Sequence, residues 1–166
     1  MDGRLFRVQE GEWMMVGSEL GRGEIVERVR GIQARIRDEV REEIAAKLTE
    51  SLSAVAAETA GDTIYAIDRV SEDLVPELFA EAFRDSSIVV VGEGLDEVGE
   101  VFPGDCAPYQ AGYRAIVDPI DGTRGLMYDK RSAWVLTGVA ENRMADTNLT
   151  DIFVAVQTEI PTTKQF

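Results

Sequence analysis

The segment Ile116-Val117-Asp118-Pro119-Ile120-Asp121-Gly122-Thr123 holds the residues best suited to chemistry. Two carboxylates three positions apart follow an apolar run and are bent by proline and glycine, an arrangement that can converge both acids on one cation. Hard divalent cations such as Mg²⁺ take oxygen ligands at about 2.0–2.1 Å from carboxylates, carbonyls, water and phosphate. Asp118, Asp121 and the Ile120 carbonyl suit that role. The alternative is a plain Asp-Pro-x-Asp-Gly turn whose carboxylates bond only their own backbone.

Residue types that are missing narrow the chemistry further. The 166 residues include no histidine, which removes Ser-His-Asp and Cys-His nucleophiles, HExxH zinc sites and imidazole acid/base catalysis together. Any catalysis must run on carboxylates, hydroxyls and metal. With 31 acidic against 17 basic residues the formal charge is −14, which argues against non-specific nucleic-acid or anionic-membrane binding and favours cations as ligands. No apolar run approaches the roughly 20 residues that span a bilayer. The lone Cys106 cannot close an internal disulfide, and no basic-then-apolar leader opens the chain, so a cytoplasmic location is expected. Without a histidine to activate it, Cys106 reads as a bystander.

The elements that must position the acids are legible as patterns. Residues 1–23 read as a loosely structured lead-in and 24–166 as one domain. From Ile25 through Val29, Ile32, Ile36, Val40, Ile44, Leu48, Leu52 and Val55 the apolar spacing is three or four, the mark of one buried helix face. About 30 residues at 1.5 Å each span roughly 45 Å, and Gly31 is a place where such a helix can bend. Thr63–Ile67 reads as a short strand giving way at Asp68. Val70, Leu74, Val75, Leu78, Phe79 and Phe83 outline a second helix that Pro76 is expected to bend or restart. Ile88–Val91 and Ala115–Val117 are short β-branched strands, each running into acids, and Trp134–Ala140 with Ile152–Val156 suggest an antiparallel pair. Phe79, Phe83 and Trp134 are expected in the core. Helices first and strands after point to an α+β fold, an antiparallel-type sheet with long helices on one face.

Asp118-Pro-Ile-Asp-Gly-Thr123 resembles the signature of the inositol monophosphatase and fructose-1,6-bisphosphatase superfamily. The likeness extends over about residues 25 to 160. Upstream, the superfamily has a strand ending in Gly-Glu-Glu; here Val91-Gly92-Glu93-Gly94 precedes Asp118 by 25 positions, counted from Glu93. An aspartate after the first short strand corresponds to Asp68. The resemblance implies the N-terminal half of the sugar-phosphatase fold and metal ligation by Glu93, Asp118, Asp121 and the Ile120 carbonyl. It implies Mg²⁺, or Mn²⁺, as a set of about two to three ions in an intact member. In that mechanism the ions bind phosphate and acidify a water that attacks phosphorus in line. Thr123, held by the Gly122 turn, bonds the attacking water, while Asp68 or Glu93 accepts its proton. Asp121, Gly122, Thr123 and Arg124 would meet the substrate, a small phosphorylated sugar or polyol. No nucleic-acid or membrane partner is implied, and the intact protein is expected to be a homodimer. Lys130 and Arg131 can contact substrate too, although exposed loop cations are commonly just solvated.

Three departures bear on substrate and completeness. Gly94 replaces the family's second glutamate, and Gly-Glu-Gly-Leu-Asp-Glu together with Gly-Thr-Arg is similar to class II fructose-1,6-bisphosphatases. Those enzymes, however, have Glu where this chain has Asp121. The superfamily also draws an aspartate from a C-terminal Trp-Asp motif, whereas Trp13 and Trp134 precede Met and Val. A fragment or isolated half is therefore expected, with an apolar sheet surface left uncovered. Inositol phosphates, fructose 1,6-bisphosphate and nucleotide 3′-phosphates stay open as substrates. A non-catalytic cation-binding or interaction module is the rival reading. Residues 25–57 as an oligomerisation helix is a weaker one, since no heptad with e/g pairing is evident.

Overall fold

Apolar spacing builds the first layer of the fold. The computed structural model describes residues 5–7, 13–15, 20–53, 74–92, 95–96, 98–104 and 106–162. Helix α1 (Arg22–Ser53) runs 32 residues, and Ile25, Val29, Ile32, Ile36 and Val40 are all buried along one face. Glu24 in its first turn complements the helix dipole. The region expected as a loosely structured lead-in contains an antiparallel pair, β1 (Leu5–Arg7) and β2 (Trp13–Met15), with Leu5 opposite Met15. Strands of three residues are too short to show alternation in sequence.

Helix α2 (74–82) is helical through Pro76, and the residues before Leu74, where the expected bend or restart would show, lie outside the described residues. It buries Val75, Leu78 and Phe79, and the Phe79 ring stacks on Phe83 with centroids 5.9 Å apart. Arg28 ties the two helices together. Its guanidinium donates to the Ala82 carbonyl at 2.6 Å, pairs with Asp85 at 2.5 Å and Glu24 at 2.6 Å, and lies over the Phe83 ring. The bonds from Arg28 hold the Asp85 carboxyl below its usual range. The short strand expected at residues 63–67 lies outside the described residues.

Five strands form the second layer: β3 (Ile88–Gly92), β4 (Glu100–Phe102), β5 (Tyr113–Asp121), β6 (Ala133–Glu141) and β7 (Val154–Ile160). Their order is β4-β3-β5-β6-β7. β3 and β5 are parallel and every other neighbour is antiparallel. The fold is thus α+β with a mostly antiparallel sheet, as expected. Tyr113, Ala115 and Val117 of β5 and Ala133, Val135, Thr137 and Val139 of β6 alternate into the core.

Helix α1 lies over β6 and β7, and a polar side chain fixes it there. Gln33 is fully buried. Its amide nitrogen donates to Thr137 Oγ1 and the Val156 carbonyl, each at 2.9 Å, and its oxygen accepts from Thr158 Oγ1 at 2.8 Å. Every polar atom of the amide is therefore satisfied, the condition for a polar group to be tolerated in a core. On the other sheet face the connection after β6 folds back, and Ile152 crosses Gly138 where a Cβ would come within 2.7 Å of its Cδ1. Ile116 and Leu149 stay exposed on that side. Among the described residues no helix is long and apolar enough to cross a membrane.

Candidate functional site

Strand β5 carries the paired carboxylates, and an irregularity in it decides where they face. Asp118 pairs with Leu136 and Asp121 with Trp134, so three steps along β5 answer two along β6. Side chains alternate faces along a strand, so residues three apart normally face opposite ways. The extra residue is a β-bulge, and such bulges re-aim side chains. Asp118 and Asp121 both oppose residues of one face of β6. Both are exposed, while Pro119 and Ile120 between them are buried. The sequence reading stopped this strand at Val117; it continues through the bulge to Asp121.

Local hydrogen bonds shape the turn. Asp118 Oδ1 accepts from the Ile120 N–H at 3.1 Å, and Thr123 Oγ1 donates to the Ile120 carbonyl at 3.0 Å. The first bond is the self-contained turn contact expected of an Asp-Pro-x-Asp-Gly sequence, so that turn coexists with a common face for the two acids. A carbonyl has two lone pairs, so the bond from Thr123 leaves the Ile120 oxygen able to accept a second partner. Gly122 has φ +99, a left-handed conformation, and leads directly into α3 (Thr123–Met127). Arg124 is exposed on that short helix, which sequence patterning did not anticipate because five residues show no period.

The parallel partner strand brings a third chain position toward the same end of the sheet. Gly92 closes β3 opposite Val117, the residue before Asp118, and Glu93 is next in sequence after Gly92. Glu93 itself and Asp68 lie outside the described residues. Among the described residues no group of three or more acidic or cysteine side chains is disposed to hold a metal ion. The donors present are all oxygens, from two carboxylates on one face and one carbonyl. That set fits a hard divalent cation with its remaining positions filled from elsewhere.

Trp134 was expected in the core with Phe79 and Phe83. Those two phenylalanines are fully buried, but Trp134 is only half-buried, on the face it shares with the carboxylates and opposite Asp121. The apolar run of β6 hid this, because alternate positions of one strand serve different faces.

Comparison with known proteins bears on the family and the fold. The sequence pattern described as "Inositol monophosphatase family" matches residues 24–145. The chain belongs to that family. Among curated protein sequences none matches it. Of solved structures, the fructose-1,6-bisphosphatase of Leishmania major in holo form is 16% identical with a TM-score of 0.54, over 87% of this chain and 46% of that one. Inositol monophosphatase II of Staphylococcus aureus MSSA476 is 18% identical with a TM-score of 0.49, over 70% of this chain and 37% of that one. This inositol monophosphatase family chain therefore spans less than half the length of either. At such identities the first likeness shows the fold alone.

Proposed function

We propose that this chain is the metal-binding half of a phosphomonoester hydrolase whose substrate is a small phosphorylated sugar or polyol. The observation that carries the reading is the bulge between Asp118 and Asp121, which brings both carboxylates to one face beside the Ile120 carbonyl. Asp118, Asp121, the Ile120 oxygen and Glu93 would hold Mg²⁺ or Mn²⁺, and Asp68 would serve as an accessory ligand or water-orienting group. When bound, the ions would offset the phosphate charge and acidify the attacking water.

The chain's own residues have defined parts in this reading. Thr123 commits its proton to Ile120, so its oxygen is left as an acceptor that orients a water by taking one of that water's hydrogens. Gly122 sets the turn that aims Thr123, and Asp121, Gly122 and Arg124 line the approach of the substrate. Glu93 or Asp68 takes the proton released by the water. Cation loading is also an electrostatic requirement, since a chain of charge −14 repels a phosphate dianion. Inositol phosphates, fructose 1,6-bisphosphate and nucleotide 3′-phosphates all satisfy this chemistry. A cytoplasmic setting and a homodimeric intact protein belong to the same reading.

Cation binding without turnover is the second reading, in which the two carboxylates on one face hold a cation and no phosphoryl group is hydrolysed. Calorimetric titration of Mg²⁺ and Mn²⁺ into the chain and into Asp118→Asn, with phosphate release from inositol 1-phosphate followed in parallel, separates the two. Binding that the substitution abolishes, with turnover, supports the hydrolase. The same binding without turnover supports the second reading, and no binding overturns both.

A further inference from the structure

Strand β6 lays an apolar strip along the carboxylate face. The strand register makes two rows there across β5, β6 and β7. One is Asp118, Leu136 and Gln157; the other is Asp121, Trp134 and Glu159. The middle member of each row is apolar and half-buried, while the four outer members are exposed. Ala133, Val135 and Thr137, which alternate with Trp134 and Leu136 along β6, point the other way and are buried in the core. The two rows therefore belong to the open face that holds the carboxylates.

Directly opposed residues of antiparallel strands have Cβ atoms about 4.5–5.5 Å apart. The Trp134 indole thus stands one strand from Asp121 on one side and one strand from Glu159 on the other. The face of an aromatic ring carries the negative end of its quadrupole, so it suits C–H groups and repels anions. Glu159 is steadied by Ser132, whose hydroxyl donates to its Oε1 at 2.6 Å. A carboxylate accepts hydrogen bonds and donates none, so a group that meets Glu159 across the indole must bring a donor. A phosphate in that place would meet a like charge, on a chain whose formal charge is already −14.

We infer that Trp134 and Glu159 are specificity-determining residues: the indole receives the C–H face of the substrate's ring, and Glu159 accepts from a hydroxyl on the ring's far edge. The phosphoryl group to be hydrolysed is held at the carboxylate loop. This inference rests on the phosphatase reading and deepens it, because it assigns the non-phosphoryl end of the substrate to β6 and β7. An acyclic polyol phosphate offers no ring face to the indole, and a bisphosphate brings its second anion against Glu159. Both are selected against.

The sequence has two tryptophans, so Trp13→Phe leaves Trp134 as the sole indole emitter. The whole chain in that background is titrated with inositol 1-phosphate, glycerol 3-phosphate and fructose 1,6-bisphosphate, with saturating Mg²⁺ and without it. Calorimetry repeats the titrations for Trp134→Ala, Trp134→Phe and Glu159→Gln. With Mg²⁺, inositol 1-phosphate is expected to change the Trp134 emission and to bind about tenfold tighter than glycerol 3-phosphate, the size of one charge-assisted hydrogen bond. Trp134→Ala should reduce that preference to within about twofold, and Trp134→Phe should keep most of it. Glu159→Gln should raise affinity for fructose 1,6-bisphosphate about threefold or more, and less so at high salt. The emission arm retains the native Trp134, so it decides even where Trp134→Ala fails to fold. Mg²⁺-dependent binding of inositol 1-phosphate that leaves the emission unchanged, or a ring preference that survives Trp134→Ala, overturns the inference and leaves the phosphatase reading standing. A bisphosphate affinity that Glu159→Gln does not raise overturns the part given to Glu159. A Trp134-dependent preference that ignores Mg²⁺ supports the platform and counts against the phosphatase reading. No binding of any of the three overturns both.

Discussion

Gly92 and Val117 face each other across the parallel strands β3 and β5, and a Cβ on Gly92 would lie 2.7 Å from the Val117 carbonyl oxygen. The glycine is required by close approach and not by an unusual backbone angle. Glu93 follows one partner in sequence and Asp118 the other, so this contact governs how near β3 and β5 run at the end of β3.

Gly92→Ala should therefore cost about 1–3 kcal/mol, the usual penalty for overpacking against atoms that cannot move aside. Urea denaturation measures the loss. Weaker Mg²⁺ binding should accompany it if the contact also spaces the ligands; unchanged stability would mean that β3 shifts freely along β5.

Gly122→Ala tests a different cause. The nearest atom to a Cβ there is 3.6 Å away, so space is ample, but φ is +99. Conformational strain alone should destabilise by about 1 kcal/mol or more. Thermal denaturation reports it, and a neutral result would mean that the turn relaxes to negative φ.

Gln33→Ala should be more damaging than either. It removes three hydrogen bonds, leaves Thr137, Val156 and Thr158 without their partner, and opens a cavity under α1. A loss of about 2–4 kcal/mol is expected. A change below about 0.5 kcal/mol in denaturant titration would indicate that water replaces the amide.

Asp85 should give the fold an acid-sensitive contribution. Arg28 lowers its pKa from the ordinary 3.8, so the folded value lies below the unfolded one. The stabilisation is complete above the ordinary value and disappears as pH falls through the folded value. Since the Asp85 side chain is 57% exposed, solvent screening limits the effect to about 1 kcal/mol or less. Stability curves of wild type and Asp85→Asn should differ near pH 7 and merge below the ordinary aspartate range; a gap that persists in acid would place the cause elsewhere.

Much of this architecture could be read from the sequence because long periodic patterns survive averaging. The α1 face from Ile25 to Val40 and the β-branched runs of β3 and β5 are of that kind. Short or locally polar features were not readable. The three residues of β4 have no period, and Gln33 looks like one more polar position on a charged helix until its partners on β6 and β7 are known. Strand β7 was expected from Ile152 and begins at Val154, because Ile152 is drawn across Gly138 onto the other face. At the site, residue types revealed the acids, but their common face depends on pairing with β6, which no local pattern encodes. Trp134 beside Asp121 was missed for the same reason.

The bulge makes the spacer between the two aspartates a counted interval. Pro119 and Ile120 can exchange for other buried residues of similar bulk while both carboxylates keep their face. Removing either would make two steps along β5 answer two along β6, so the acids would still share a face by simple alternation, while the bend that the extra residue puts between them would be lost. At this point of the chain the extra residue sets the bend between the two acids, and a single-codon deletion should alter their spacing while leaving the face they share unchanged.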